Sequence, residues 1–176
     1  MTGAGEDSGL AVRPLTVADL PAVVALEQVL FGPSAWSETV LRGELAGAGR
    51  WYVGIDGPGV PTPRTLGPIG APPAAPQAPV AGLVGYVGAG SDGEVVEVMT
   101  IGVAPHAQRQ GLGALLLEAL LGYARTVGAQ AVLLEVRVDN DPAIALYERA
   151  GFIVMRRRRR YYQPEDVDAW TMRKEL

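Results

Sequence analysis

The sequence predicts a mixed α/β fold in one domain, with a central sheet of about seven strands flanked by about four helices. Three observations predict it. A chain of 176 residues fits one domain and can bury a core. Apolar, β-branched runs at 94–103 and 131–136 flank a long helical pattern, as in a βαβ crossover. A Gly-Ser-Asp-Gly turn joins 80–89 to 94–103, which favours antiparallel pairing in the first half of the sheet.

The N-terminal segment, residues 1–9, has the composition of a disordered tail, and the domain is expected to span 10–176. Thr16-x-x-Asp19 resembles a capping box and predicts a helix start. Ser37 is the expected N-cap of a second, shorter helix. The expected elements in this part are a strand at 10–14, helices at 20–30 and 37–45, and a strand at 51–55.

Residues 57–79 differ in composition from the rest of the chain. They contain eight prolines and four glycines, with Arg64 as the one charged residue. Such a segment cannot form a packed core element, so it is predicted to be a disordered insertion between two paired strands. Because the cost of closing a loop grows only logarithmically with its length, the fold can tolerate the insertion.

The second half of the chain carries the longest periodic segments. Asp141 followed by Pro142 is typical of a helix start, and Gly151 is typical of a helix end. The expected strands lie at 80–89, 94–103, 131–136, 152–161 and 167–173, and the expected helices at 114–128 and 142–150.

Composition excludes several kinds of chemistry. The chain has no cysteine, which excludes disulfides, a thiol nucleophile and cysteine-ligated metals. A single histidine, His106, disfavours a histidine-based metal site, so no metal is expected. The N-terminus lacks the pattern of a secretory signal and no apolar run has the length of a membrane span, so a cytoplasmic location is expected. A net charge of −4 disfavours nucleic-acid binding and favours a cationic partner.

The stretch 108–113, QRQGLG, joins a predicted strand to the predicted central helix. Such a turn can point backbone N–H groups and the positive end of the helix dipole at an anion. A P-loop needs lysine and Ser/Thr after its last glycine, where Ala114 and Leu115 stand. A dinucleotide fingerprint needs a third glycine, where Leu116 stands. On these residues alone, a simple helix start remains an alternative.

A second motif, 134–152, reads LEVRVDNDPAIALYERAGF. Together with Q-x-x-G-x-G, its pattern E-V-R-x-x-N-x-x-A-I-x-L-Y-x-x-x-G-F resembles the RimI branch of the GNAT superfamily, the acetyl-CoA-dependent N-terminal alanine acetyltransferases of ribosomal proteins. Segments 36–38 (WSE) and 160–162 (RYY) also resemble that branch. The resemblance covers about 12–172 apart from the proline-rich insertion. Ala35 departs from it, because the branch often has proline before the tryptophan.

The resemblance implies a role for each matching residue. It implies Glu135 as general base, Tyr147 as general acid, and Trp36 and Tyr161 as substrate contacts, although Trp36 can equally serve packing. The implied acetyl-CoA contacts are Ile101, Gly102 and Val103 for the pantetheine arm, Arg109, Gln110, Gly111, Leu112, Gly113 and Ala114 for the pyrophosphate, and Asn140 near the thiol. The implied partner is the N-terminus of a basic ribosomal protein, without direct nucleic-acid or membrane contact, and the enzyme is expected to be a monomer or weak dimer.

The chemistry of acetyl transfer can be judged from reference pKa values. An α-amine with a pKa of about 8 is roughly 200-fold richer in free amine at pH 7 than a lysine with a pKa of about 10.4. Glu135 would need a water relay or a raised pKa to accept a proton from such an ammonium. Three alternatives remain: a small-molecule acetyltransferase, a lysine acetyltransferase, and a non-catalytic acyl-CoA-binding regulatory domain. The arginines at 156–160 are interpreted as a solvated strand face.

Overall fold

The structure, a computed structural model, describes residues 11–58 and 81–176. Its seven strands are β1 Val12–Pro14, β2 Arg50–Pro58, β3 Ala81–Ser91, β4 Val95–Val103, β5 Ala131–Arg137, β6 Ile153–Tyr162 and β7 Val167–Glu175. Its four α-helices are α1 Leu20–Phe31, α2 Glu38–Ala46, α3 Leu112–Thr126 and α4 Asp141–Arg149. The predicted mixed α/β architecture is confirmed. The predicted tail and residues 59–79 of the predicted insertion lie outside the described residues. Gly57 and Pro58, predicted to belong to the insertion, instead extend β2 and pair with Gly82 and Ala81.

The seven strands form one sheet in the order β1-β2-β3-β4-β5-β7-β6. Strands β1 to β4 pair antiparallel, and so do β5, β7 and β6. Strands β4 and β5 pair in parallel, and α3 is the crossover that parallel strands require. These two strands pair at three positions only within the described residues, and the last pair is Glu97 with Leu133. The two halves of the sheet therefore separate beyond this point.

Local sequence explains how the first two helices begin. The Thr16 side chain accepts a hydrogen bond from Ala18 N, and Thr16 N donates to Asp19 Oδ2 at 2.8 Å. This capping box begins a 3₁₀ turn that leads directly into α1. The Ser37 hydroxyl oxygen accepts from Val40 N at 3.3 Å and caps α2. Both predicted caps are confirmed.

The helices α1 and α3 cover opposite faces of the sheet. Tyr86 on β3 contacts Glu27 of α1, whereas a Cβ placed on the neighbouring Gly85 would lie 3.3 Å from Leu116 of α3. Successive residues of a strand point to opposite faces, so the two helices sandwich the sheet. The main hydrophobic core lies between them.

Two features of β4 shape the gap beside it. Gly88 pairs with Thr100 and Ala89 pairs with Val98, so a bulge leaves Met99 without a partner on β3. A Cβ on Gly102 would lie 2.3 Å from Leu30 Cδ1, so glycine here leaves room for the Leu30 side chain of α1 against β4. The strand is thus distorted and closely covered at the point where the sheet opens.

Candidate active site

A cleft of about 570 Å³ opens where β4 and β5 separate. Its walls come from α1 and the following turn, β4, β5, the start of α4 and the hairpin between β6 and β7. Six of the predicted site residues line it: Trp36, Ile101, Glu135, Asn140, Tyr147 and Tyr161. Gly102, Val103 and the loop at 109–114 lie outside its lining.

The edge of β4 that faces the gap suits an extended chain with amide groups. Ile101, Gly102 and Val103 pair with β3 along one edge, while β5 has already diverged from the other. Backbone groups on such an unpaired edge are available to a ligand that adds on like a strand. The Val103 carbonyl already accepts a hydrogen bond from Gln108 Nε2 at 3.0 Å.

The loop before α3 has the backbone of an anion site. Gly111 has φ of 82° and Arg109 has φ of 63°, both in the left-handed region. No side chain caps α3, and the first N–H groups of a helix have no acceptor within it. A Cβ on Gly111 would meet nothing within 4 Å, so open space lies beside the loop. The loop therefore leaves backbone N–H groups and open space available to an anion. The helix α3 begins at Leu112, two residues earlier than predicted.

Glu135 is held by two neighbours on one side of its carboxylate. Its Oε1 accepts from Arg158 Nη1 at 3.0 Å and from the Thr171 hydroxyl at 3.4 Å. Across residues 11–58 and 81–176, Oε2 has no hydrogen-bond partner. The carboxylate is therefore fixed in orientation with one oxygen available to a water or an amine.

Tyr147 is buried at 4% exposure, with its ring 5.8 Å from that of Phe152. Burial raises the pKa of its hydroxyl, which stays protonated at neutral pH. The described residues offer this hydroxyl no hydrogen-bond partner, while the side chain lines the cleft. Nearby, burial raises the pKa of Tyr162 to about 12, and its hydroxyl donates to the Glu135 backbone oxygen at 3.3 Å.

Asn140 is the N-cap of α4, which begins at Asp141, one residue before the expected bound at 142. Its Oδ1 accepts from Ala143 N at 3.3 Å. An asparagine side chain can satisfy an orphan N–H of the first turn as well as an aspartate can, and here the residue one position earlier does so. The Asn140 amide group remains able to donate into the cleft.

Trp36 and Tyr161 stand on different walls of the cleft. Trp36 is half-buried and packs against the core while lining the cleft, so packing and substrate contact are compatible. Tyr161 is 40% exposed, and the Arg158 guanidinium lies 4.2 Å from its ring centroid. Arg158 thereby connects Tyr161 to Glu135. The arginine run is otherwise exposed as predicted, and Arg158 is the half-buried exception.

Glu27 is a cleft residue that sequence reasoning missed. It is 2% exposed on α1, and its carboxylate accepts hydrogen bonds from Trp36 N at 3.1 Å and from the Tyr86 hydroxyl. Tyr86 in turn lies 3.2 Å from the Thr100 hydroxyl. The signal was present in the sequence, since Glu27 occupies an inward position of the helical pattern formed by Leu20, Val23 and Leu30.

Within residues 11–58 and 81–176, no group of three or more histidine, cysteine or acidic residues could hold a metal ion. In the same part of the chain, every helix is too short or too polar to cross a membrane.

Comparison with known proteins places the chain in a family. The Acetyltransferase (GNAT) family profile matches residues 75–152. The N-alpha-acetyltransferase RimI of Mycobacterium tuberculosis is 37% identical over 168 residues, covering 94% of this chain and 92% of that protein. The chain belongs to the GNAT acetyltransferase family. The [Ribosomal protein bS18]-alanine N-acetyltransferase of Escherichia coli is 46% identical over 69 residues, which are 39% of this chain and 47% of that protein.

The same GNAT fold is present in a solved structure. The crystal structure of the ribosomal-protein-S18-alanine N-acetyltransferase from Escherichia coli matches with a TM-score of 0.74 and 27% identity, covering 94% of this chain and 93% of that chain. The predicted GNAT fold and the resemblance to the RimI branch are confirmed. The predicted acetyl-CoA-dependent enzyme of the N-terminal acetyltransferase type is confirmed as well.

Proposed function

We propose that this GNAT enzyme acetylates the N-terminal α-amine of a protein, and that its acceptor is the N-terminal alanine of a small-subunit ribosomal protein. The similarity to RimI of Mycobacterium tuberculosis along nearly the whole chain carries this proposal. The 46% identity to the bS18-alanine N-acetyltransferase over 69 residues supports the alanine acceptor. The acidic net charge of −4 also suits a basic acceptor.

Three parts of the chain would hold the acetyl donor. The N–H groups at the start of α3 suit the pyrophosphate, and Gly111 leaves open space beside them. The free edge of β4 at 101–103 suits the pantetheine arm, and Asn140 lines the same cleft as Ile101, which suits a contact near the thiol. When bound, acetyl-CoA supplies the activated thioester carbonyl.

Glu135 and Tyr147 suit opposite ends of the transfer. The new C–N bond forms as the C–S bond breaks, so the amine loses a proton and the leaving thiolate gains one. Glu135 Oε2 is available to take the amine proton, directly or through a water. Tyr147 stays protonated because burial raises its pKa, and it can donate as charge develops on the sulfur.

The acceptor proposal is tested with purified protein, acetyl-CoA and two peptides. One begins Ala-Arg and carries a basic tail without lysine, and the other has a blocked N-terminus and one internal lysine. We expect acetylation of the first peptide, located on the α-amine by fragment mass spectrometry. Faster acetylation of the internal lysine would contradict the proposal.

A further inference from the structure

The network around Glu27 is not explained by the roles assigned to Glu135 and Tyr147. Glu27 is a carboxylate at 2% exposure, and it accepts hydrogen bonds from Trp36 N and the Tyr86 hydroxyl. Burying a carboxylate is costly unless its charge is compensated. Two neutral donors compensate that charge only in part.

A cationic partner for Glu27 is missing from the described chain. No lysine or arginine in residues 11–58 and 81–176 lies within 4.0 Å of its carboxylate. Glu135, by contrast, has Arg158 at 3.0 Å. Glu135 already has a cationic partner and Glu27 has none, so a cation that enters the cleft would neutralise Glu27.

Glu27 lies where a cationic acceptor that enters the cleft could reach it. Glu27 lines the same cavity as Glu135 and Tyr147. An α-amine with a pKa of about 8 is mostly protonated at pH 7, so the acceptor arrives as an ammonium. The ammonium would offer the positive charge that the protein does not provide.

We propose that Glu27 binds the acceptor's α-ammonium as its counter-ion, so that it determines specificity for a charged N-terminus. This rests on the proposed function. In this division of roles, Glu27 recognises the charged amine and Glu135, through its unbonded Oε2, receives the proton. The hydrogen bond from Trp36 N to Glu27 also ties the turn after α1 to this recognition site.

The pKa of the Glu27 carboxyl also indicates that its two hydrogen bonds do not fully compensate its charge. Its removal from water raises the pKa of the Glu27 carboxyl, and the hydrogen bonds from Tyr86 and Trp36 oppose that rise. An ammonium next to the carboxylate would favour the charged form and relieve the cost of burial.

The test compares binding of two peptides to protein saturated with coenzyme A, which prevents turnover. One peptide begins Ala-Arg with a basic tail, and the other is identical but lacks the α-amino group. We expect wild-type protein to bind the amino peptide about 10- to 100-fold more tightly, as for a hydrogen-bonded charged group. In Glu27→Gln this preference should fall to within about threefold, because the amide keeps the shape without the charge.

Two further variants separate charge recognition from structure. Thr100→Val removes the contact to Tyr86 and keeps the Glu27 charge, so the preference for the amino peptide should persist. Glu135→Gln should lose turnover and still keep the preference, because Glu27 supplies the counter-ion. This second variant answers the question even if Glu27→Gln does not fold, which thermal unfolding would reveal.

The outcomes distinguish the inference from the proposed function. Equal weakening of both peptides in Glu27→Gln, or loss of the preference in Glu135→Gln, would overturn the role of Glu27. The role would also be overturned if wild-type protein acetylates the amino peptide but binds the two peptides with equal affinity. Wild-type protein that neither binds nor acetylates the peptide would instead refute the proposed function.

Discussion

Gly111 and Gly128 form a matched pair for testing the pyrophosphate loop. They flank α3 at its start and end, with φ of 82° and 75°. A Cβ on either glycine would meet nothing within 4 Å, so substitution strains the backbone without a clash. Placing valine in this left-handed conformation costs about 1–2 kcal/mol. For a chain of this size, that corresponds to a fall in Tm of about 2–8 °C for each variant.

The two variants should differ sharply in binding acetyl-CoA. Gly111→Val should reorient the N–H groups that we propose for the pyrophosphate and fill the open space beside them. Losing one hydrogen bond to a charged phosphate weakens binding by about 10- to 100-fold. Gly128→Val should bind as wild type does. Isothermal titration calorimetry with acetyl-CoA measures both affinities, and equal affinities in two folded variants would refute the loop assignment.

Three other predictions follow from the same structure. Glu135→Gln should lower the rate of acetyl transfer by about 10²–10⁴. In a pH–rate profile this loss should shrink as pH rises past the terminal amine's pKa of about 8, because free amine then needs no base. The rate loss of Tyr147→Phe should persist across the same profile. Gly102→Val should lower Tm, because its Cβ would lie 2.3 Å from Leu30 Cδ1 and would displace the Leu30 side chain, and a Tm close to wild type would show that this side chain turns aside without cost. Deleting 59–79 and closing the β2–β3 hairpin with a short turn should leave Tm and acetyl transfer nearly unchanged, since loop closure depends weakly on length; a large loss of Tm would contradict this.

Local signals in the sequence were sufficient for most of the fold. Apolar periodicity together with bounding prolines, glycines and caps located the seven strands and four α-helices, including β6, whose arginine run has no strong apolar pattern. Thr16 and Ser37 were recognised as caps because their hydrogen bonds lie within three residues. The start of α4 was placed one residue late, at 142 instead of Asp141, because neighbouring Asn and Asp are both good caps and the sequence does not show that Asn140 is the one that caps.

The site was predicted where motifs are contiguous and missed where contacts are long-range. Glu135, Asn140 and Tyr147 belong to one motif, and the structure brings them to one cleft. The partners of Glu135 come from other strands, with Arg158 at 23 residues' separation. The contact between Glu27 and Tyr86 spans 59 residues. Such pairs depend on register and helix docking, which no local pattern specifies.

Mass spectrometry of protein N-termini in a strain that lacks this protein tests the central claim most directly. The expected result is loss of the acetyl group from the N-terminal alanine of a small-subunit ribosomal protein. The modification should return with the wild-type gene and stay largely absent with the Glu135→Gln variant, which replaces the proposed proton acceptor by an amide of the same shape. Unchanged N-terminal acetylation across the proteome, or losses confined to internal lysines, would contradict the account.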